Sequence, residues 1–476
     1  MLATFLRNAL LVLLLNLTVK GLYLFVIERT VQNVLPEADY GLYFSLLGLG
    51  MLLQIIADCG LQLYNSRTVS GHRQLLAKYF PYFIALKALL GGAFFVALLL
   101  AAWALGYRGA QIGLLLLVGT GLLLNSLVLY LRSCLAGLGR YALDSWFSIF
   151  DKSCMILLVG GLLLFFPERL SIHLFAGSQV LCWALTAILL GITLRHKLTH
   201  LRPRFRAATL WMLLRGGAPY AIAILLQTAY SRTDAIMIER LLVGGAEAAG
   251  HYAAGYRLLD ALNTVGWLVA GLLLPMYARL HGRREDLGEL LRLSVHLLLG
   301  GGIIVGFTLA VYSTPVVYLL YDFAEPRTAT ILFFLALTFV AQCLNYAYGA
   351  LLGATGLIGR MNYVFAAGIL LNIGGNFWVL SRYGAPGAAA VTLATQSFVA
   401  IVQAALAHRW LRLPLMTVRW GRLFMLVLVL SISHHILIVP FTEANWLAGA
   451  VALGMLGTLL LFALKLISSD DLRALT

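Results

Sequence analysis

"VIERTVQNVLPEADYGLYF", residues 26–44, breaks a chain otherwise built mostly of Leu, Val, Ala and Gly, and a shortened echo, "MIERLLVGGAEAAGHYA", returns at 237–253. Aligned, Ile27-Glu28-Arg29 stands against Ile238-Glu239-Arg240, and Gly41-Leu42-Tyr43 against Gly250-His251-Tyr252. Each stretch reads as the outer end of one helix, a turn at Pro36 and Gly41 or at Gly244-Gly245, and the start of the next helix. Helix capping accounts for these residues singly but not for their duplication. The echo opens at the seventh apolar run of the chain, so it divides the first twelve runs into six and six. With an even number of spans per half, both halves enter from the same side. They are then parallel repeats about an axis along the membrane normal, with a substrate path between them.

The apolar runs themselves set the class. Of 476 residues, 61% are hydrophobic and 11% charged, and the mean hydropathy is +0.91. A soluble domain is roughly half apolar and about a quarter charged. Runs of about 20 apolar residues, enough to cross ~30 Å of hydrocarbon as helix, recur along nearly the whole chain. They predict an all-α integral membrane protein with about 14 transmembrane helices, two parallel six-helix repeats plus two C-terminal helices. The expected bodies are a six-helix bundle at 1–195, a basic linker at 196–215 and a second bundle at 216–410. Residues 411–476 supply the two extra helices and a short tail.

The net charge of +15 suggests nucleic acid only until the cations are placed. With the N-terminus inside, twenty-three of the 34 Lys and Arg fall on inward ends and loops, six of them in "RHKLTHLRPRFRAATLWMLLR" (195–215), against six on the outward side. This asymmetry puts both termini in the cytoplasm and makes the basic character a matter of topology. Membrane lipids, not nucleic acid, are the polyanions it would meet. Trp211, Trp410 and Trp420 flank the inner side, and Trp103, Tyr107, Trp378, Tyr383 and Trp446 the outer side, as interfacial anchors. The five Cys include no CxxC and read as small buried thiols, implying neither disulfides nor metal.

Further stretches carry a family resemblance. "LPEADYGLYFSLLGLGMLLQIIADCGLQLYNSR" (35–67), "APYAIAILLQTAYSRTDAIMIERLLVGGAEAAGHYAAGYRLLDAL" (218–262) and "LRSCLAGLGRYALDSW" (131–146) resemble polysaccharide and oligosaccharide-lipid flippases. These are the O-antigen flippase-like members of the multidrug/oligosaccharidyl-lipid/polysaccharide exporter superfamily. In the second stretch the similar positions are Pro219, Asp234, Gly244, Gly250, Tyr252, Gly255, Arg257 and Leu258. The resemblance covers essentially the whole chain. It implies a MATE-like fold in the cell inner membrane, alternating access, and a polyprenyl-pyrophosphate oligosaccharide as substrate. A glycan polymerase or glycosyltransferases are the implied protein partners, and no cofactor is implied.

Charges within the spans point to where such a substrate would bind. Lys20, Lys87, Lys152, Arg232 and Arg257 lie inside predicted helices, with Asp58, Asp151, Asp234 and Asp260 as counter-charges. Facing lipid, each would cost ~2.5–3.5 kcal/mol, and the set more than the ~5–15 kcal/mol net stability of an ordinary fold. They must face one another or a wet cavity, so interhelical salt bridges and a cationic substrate cavity both remain open. Arg257 and Asp260 share a helix face, Arg232 and Asp234 do not, and Lys20 and Lys87 have no acid nearby in sequence. A cationic cavity suits pyrophosphate, which Lys and Arg neutralise as point charge or fork. Asn125, Gln227, Tyr230, Gln342, Asn345, Asn372, Asn376 and Gln396 would receive sugar hydroxyls or else bond helix to helix.

Other functions are less well matched. A glycan polymerase or ligase needs a substantial outward loop with catalytic groups, whereas the longest here, "PVVYLLYDFAEPR" (315–327), is short and largely apolar. There is no H-E-x-x-H and no Gly-rich phosphate loop followed by Lys, so neither metal catalysis nor an ATP-driven pump is expected. A lipid II flippase shares the fourteen spans and the cationic residues. A multidrug antiporter of the same superfamily would use twelve spans and prefer acids in its cavity. A membrane scaffold for a glycan-assembly complex would leave the intramembrane charges purely structural.

Overall fold

Backbone N–H and C=O groups in hydrocarbon have no water to bond, so a spanning segment closes its hydrogen bonds along its own chain. The computed structural model describes residue 16 and residues 18–65, 73–195, 203–438 and 445–467, and the regular structure among them is helical throughout. Positions 8–15 and 439–441 of the expected spans, linker positions 196–202, and Arg7, Arg67, Lys197, Arg202 and Arg473 lie outside the described residues.

Helix α1 covers residues 18–34, with a π-helical stretch at Tyr23–Glu28. Leu35 then leaves helical geometry. Pro36 caps α2 (Glu37–Asp58), whose first turn carries Glu37 and Asp39 at the positive end of the helix dipole. The chain continues through α3 (Arg73–Ala104), α4 (Ala110–Gly137), α5 (Tyr141–Phe165) and α6 (Ile172–Arg195). Helices α7 (Ala207–Leu241), α8 (Gly245–Arg283), α9 (Gly288–Val311) and α10 (Pro326–Ala354) follow. The next helix, Ile358–Trp410, is two, α11 and α12, meeting at Gly384 with φ 60° and ψ −149°, and Pro386 lies just beyond the break. Helices α13 (Trp420–Ser433) and α14 (Trp446–Ala463) complete the series.

Ten helices among the described residues have the length and apolarity to cross a bilayer. Separating α11 from α12, and adding the bent α7 and the shorter apolar helix Trp420–Ile436, brings the elements of spanning character to thirteen. These thirteen follow the expected spans from the second onward, and α1 holds the described part of the first. The outward loop read as too short for catalysis folds as a small helix, Ser313–Leu320, with Val317 fully buried.

Packing divides the chain into two compact units, Met1–Gly250 and His251–Thr476. In the first, α2 packs on α3, α4 and α7, and α4 on α6. Leu61, Phe80, Phe83, Leu86, Leu131 and Leu190 form part of its apolar core. In the second unit α10 packs on α9 and on the α11–α12 pair, and α14 on α9 and α13. Val317 and Tyr321 pack there with Ala254, Leu258 and Leu332.

The echoed residues meet. A Cβ on Gly41 would overlap the carbonyl of Ala246 and stand 2.5 Å from the Gly250 nitrogen, while one on Gly250 would overlap the carbonyl of Glu37. Only glycine admits this backbone approach. The equivalence extends to side chains. The Tyr43 hydroxyl donates to Gln179 Oε1 on α6 at 2.9 Å, and the Tyr252 hydroxyl meets Thr392 Oγ1 on α12 at 3.2 Å. Matching tyrosines thus bond the sixth and the twelfth helix.

Candidate functional site

A group of charged residues lies on α1, α4 and α5 of the first unit, with Trp183 of α6 beside it. It begins with a tight turn: α4 ends at Gly137, Gly139 takes φ 74°, and α5 starts at Tyr141. The turn folds Arg132 back onto Asp144, with Nε 2.8 Å from Oδ1. Asp144, Ser148 and Asp151 recur at i, i+4, i+7 and share one face of α5. Asn16, Lys20 and Tyr23 have the same spacing in the sequence, Lys20 and Tyr23 being on α1. The two faces meet where the Ser148 hydroxyl donates to Asn16 Oδ1 at 2.7 Å.

Lys152 lies over the Tyr23 ring, 4.4 Å from its centroid, 5.8 Å from that of Trp183, and 3.7 Å from Asp151 Oδ2. Adjacent residues point about 100° apart on a helix, so the Lys152 stem must curl back to reach Asp151. Lys20 stands in the electrostatic reach of Arg132, Asp151 and Lys152. Among the described residues, three cations here accompany two carboxylates, leaving one net positive charge.

Exposure separates this group from Lys87. The side chains of Arg132, Asp144, Asp151 and Lys152 are 22%, 25%, 17% and 25% exposed. Lys87 is 6% exposed. Its Nζ pairs with Asp58 Oδ1 at 2.5 Å and donates to Ser126 Oγ at 2.6 Å. The acid missing from its sequence neighbourhood comes from α2, 29 residues earlier. Lys87 thus joins α2, α3 and α4, away from Lys20 and Lys152.

The remaining candidates lie on α7 and α8. Asp234 is fully buried, whereas Arg232, two residues earlier, is half-buried with its carbonyl against Gly48 of α2. In the second unit Arg257 is 9% exposed, and its Nη1 lies 3.6 Å from Asp260 Oδ2 across one helical turn. Among the candidate sugar-binding amides, Asn345 donates to Gln396 Oε1 at 3.1 Å, joining α10 to α12, and Asn376 donates to Asn372 at 3.4 Å.

Sequence reading missed two features. Arg132 counted only as an inner-loop cation, although its spacing of twelve from Asp144 across a Gly-containing turn is the signal of a hairpin pair. Tyr107, read as an outer-rim anchor, is instead 1% exposed. Its hydroxyl donates to Glu239 Oε2 at 2.8 Å and lies 3.2 Å from Ser45 Oγ. The Arg240 guanidinium covers its ring, 3.3 Å from the centroid. Burial pushes the Tyr107 pKa above its ordinary value; Ser45 and Arg240 pull it down by hydrogen bonding, and Glu239 adds to the rise. Glu239 and Arg240 belong to the echoed motif, so the motif ties α7 to the loop between α3 and α4.

Comparison with known proteins gives this arrangement its relatives. A protein family described as "Polysaccharide biosynthesis protein" matches residues 5–281. Among solved structures, the lipid II flippase MurJ in its inward closed conformation is similar over 96% of this chain and 99% of its own, at 13% identity and a TM-score of 0.66. An inward-facing multidrug resistance MATE family transporter of the MOP superfamily is similar over 83% of this chain and 94% of its own, at 14% identity and a TM-score of 0.63. A Vibrio cholerae MATE transporter, VcmN, covers 86% and 99% at 14% identity and a TM-score of 0.55. At such identities the likeness is one of fold, and the fold is MATE-like. No curated protein matches the chain.

Proposed function

The chain belongs to the polysaccharide biosynthesis protein family, and from that premise we propose that it flips a polyprenyl-pyrophosphate-linked oligosaccharide across the cell inner membrane. The cargo is an O-antigen, capsule or exopolysaccharide repeat unit, carried from the cytoplasmic to the outer leaflet by alternating access. The observation that carries this reading is the partly exposed group of Lys20, Arg132 and Lys152 against Asp144 and Asp151, one cation in excess among the described residues.

Pyrophosphate supplies the missing negative charge, and the lysines and the guanidinium bind it without any bond being made or broken. The Trp183 ring beside Lys152 offers a face to a sugar. Arg232 and Arg257, with Asp234 and Asp260 as counter-charges, serve the same anion at other points of its passage. Lys87, already matched by Asp58, supports the site by holding α2, α3 and α4 together. The polyprenyl tail remains in lipid, so the protein needs no sealed apolar pocket. Both termini are cytoplasmic in this reading, and glycosyltransferases or a glycan polymerase supply and consume the cargo.

One observation favours a second reading, lipid II as cargo. The likeness to MurJ extends over 96% of the chain, further than the 83% shared with the MATE transporter. Deleting the gene distinguishes them: loss of surface glycan with intact cell walls supports the first, and lysis with wall-precursor accumulation supports the second. In the complemented strain, Lys20→Ala, Lys152→Ala, Arg232→Ala and Arg257→Ala should each reduce surface glycan at least about tenfold, the worth of one charge-assisted contact, at unchanged protein level. Undiminished export by all four, singly and combined, overturns the cationic site.

A further inference from the structure

We infer that the chain holds an anionic glycerophospholipid at a fixed site on the basic-loop side of the membrane, between the end of α2 and the bend of α7. Helix α7 turns by 49° between its 207–218 and 220–241 arms. The bend falls at Pro219, which has no N–H to give to the helical ladder. Beside it α2 ends in a left-handed turn, Cys59 at φ 45° and Gly60 at φ 72°, and a Cβ on Gly60 would overlap the Gly217 carbonyl. The two elements are therefore locked backbone to backbone. Next to the lock lies a cavity of about 440 Å³ lined by Cys59, Trp211, Leu214, Arg215, Ala218 and Ile222 among others.

The chemistry of the lining selects the occupant. Trp211, Arg215 and Ala218 are exposed at a spacing of four and three on one face of the first arm, and Ile222 is exposed just beyond the bend. Trp211 is 67% exposed, the usual posture of an interfacial anchor. Arg215 lies one turn, ~6 Å, further along, where a guanidinium reaches head-group phosphate while its stem stays among acyl chains. Among the described residues no acid pairs with Arg215, and the other lining side chains are apolar or a thiol. One guanidinium with apolar walls matches a single phosphate and two acyl chains. It offers no hydroxyl or amide to a saccharide and no second cation to a pyrophosphate. The uncompensated charge of Arg215 favours a lipid of net negative charge over a zwitterion.

Delipidated full-length protein in detergent, incubated with dioleoyl-phosphatidylglycerol, dioleoyl-phosphatidylcholine or polyprenyl monophosphate, tests the site by native mass spectrometry of retained lipid. Phosphatidylglycerol should be retained about fivefold better than phosphatidylcholine, the effect of one arginine near an anionic head group. Arg215→Gln should abolish that preference without lowering the lipid-free melting temperature, and Ala218→Phe, which fills the cavity, should reduce retention of both diacyl lipids. Equal retention of the two phospholipids by wild type overturns the proposal, as does a preference that survives Arg215→Gln. Preferential retention of polyprenyl phosphate overturns it too, by assigning the cavity to the carrier. None of these readouts depends on glycan export, so the flippase reading stands or falls separately.

Discussion

The first unit is held inside by charge, and the second largely by neutral polar side chains. Lys87 joins Asp58 of α2 and Ser126 of α4, and Arg132 joins α4 to Asp144 of α5, with Lys152 beside Asp151 on α5 itself. In the second unit Asn345 bonds Gln396, Tyr348 meets His408 Nε2 at 2.9 Å and Tyr277 meets Ser294 at 2.5 Å, with Arg257–Asp260 as its intramembrane ion pair. The two kinds of contact fail differently. A buried ion pair that loses one member strands a charge in a low dielectric, while a neutral pair that loses one leaves only an unsatisfied dipole. Charge is matched inside the protein at Lys87, whereas Lys152 is left partly exposed beside Asp151 and the Tyr23 ring.

The sharpest way to break this contrast is Lys87→Met. It should cost ~3–5 kcal/mol by stranding Asp58, read as loss of folded protein from the membrane, and adding Asp58→Leu should recover most of it. A stable single variant would show the pair to be solvated. Next in size is Asn345→Ala in the second unit, expected to cost ~0.5–1.5 kcal/mol by removing its hydrogen bond to Gln396 Oε1, measured as a fall in melting temperature. A loss as large as that of Lys87→Met would erase the difference between the units. Of the same size, Tyr43→Phe and Tyr252→Phe should each cost ~0.5–1.5 kcal/mol. Closely matched values would extend the repeat from geometry to energetics, and a gap of several kcal/mol would refute the equivalence.

The smallest effect is one of pH. Folding raises the Tyr107 pKa above its unfolded value of 10.0, so between the two values the folded chain binds more protons than the unfolded one. Stability from this group is complete below pH 10.0 and declines as pH rises toward the folded value. Comparing wild type with Tyr107→Phe, the difference in melting temperature should be flat from pH 6 to 9 and change only in stronger alkali. A change near neutrality would assign the titration to another group.

Much of this fold was legible along the chain. Apolar runs predict α2 to α14 closely because hydropathy and helical hydrogen bonding are local, and the boundaries at Pro36 and Gly384 are written in residues that leave helical geometry. The echo of Glu-Arg and Gly-x-Tyr marks two helix–helix connections whose glycines, Gly41 and Gly250, approach backbone closely. The site was only half legible. The i, i+3 pair Arg257–Asp260 follows from spacing, and the faces Asn16–Lys20–Tyr23 and Asp144–Ser148–Asp151 are present in the sequence. Nothing local says that those two faces meet.

The sequence by itself determined the membrane class and the placement of the apolar helices, because each depends on composition within a few turns of helix. Only the tertiary structure decided that Lys87 is neutralised by Asp58, that Arg132 joins Lys20 and Lys152, and that Tyr107 is buried beneath Arg240. Those outcomes depend on distances between helices far apart in the chain, and a charge in a membrane is defined by what lies across from it.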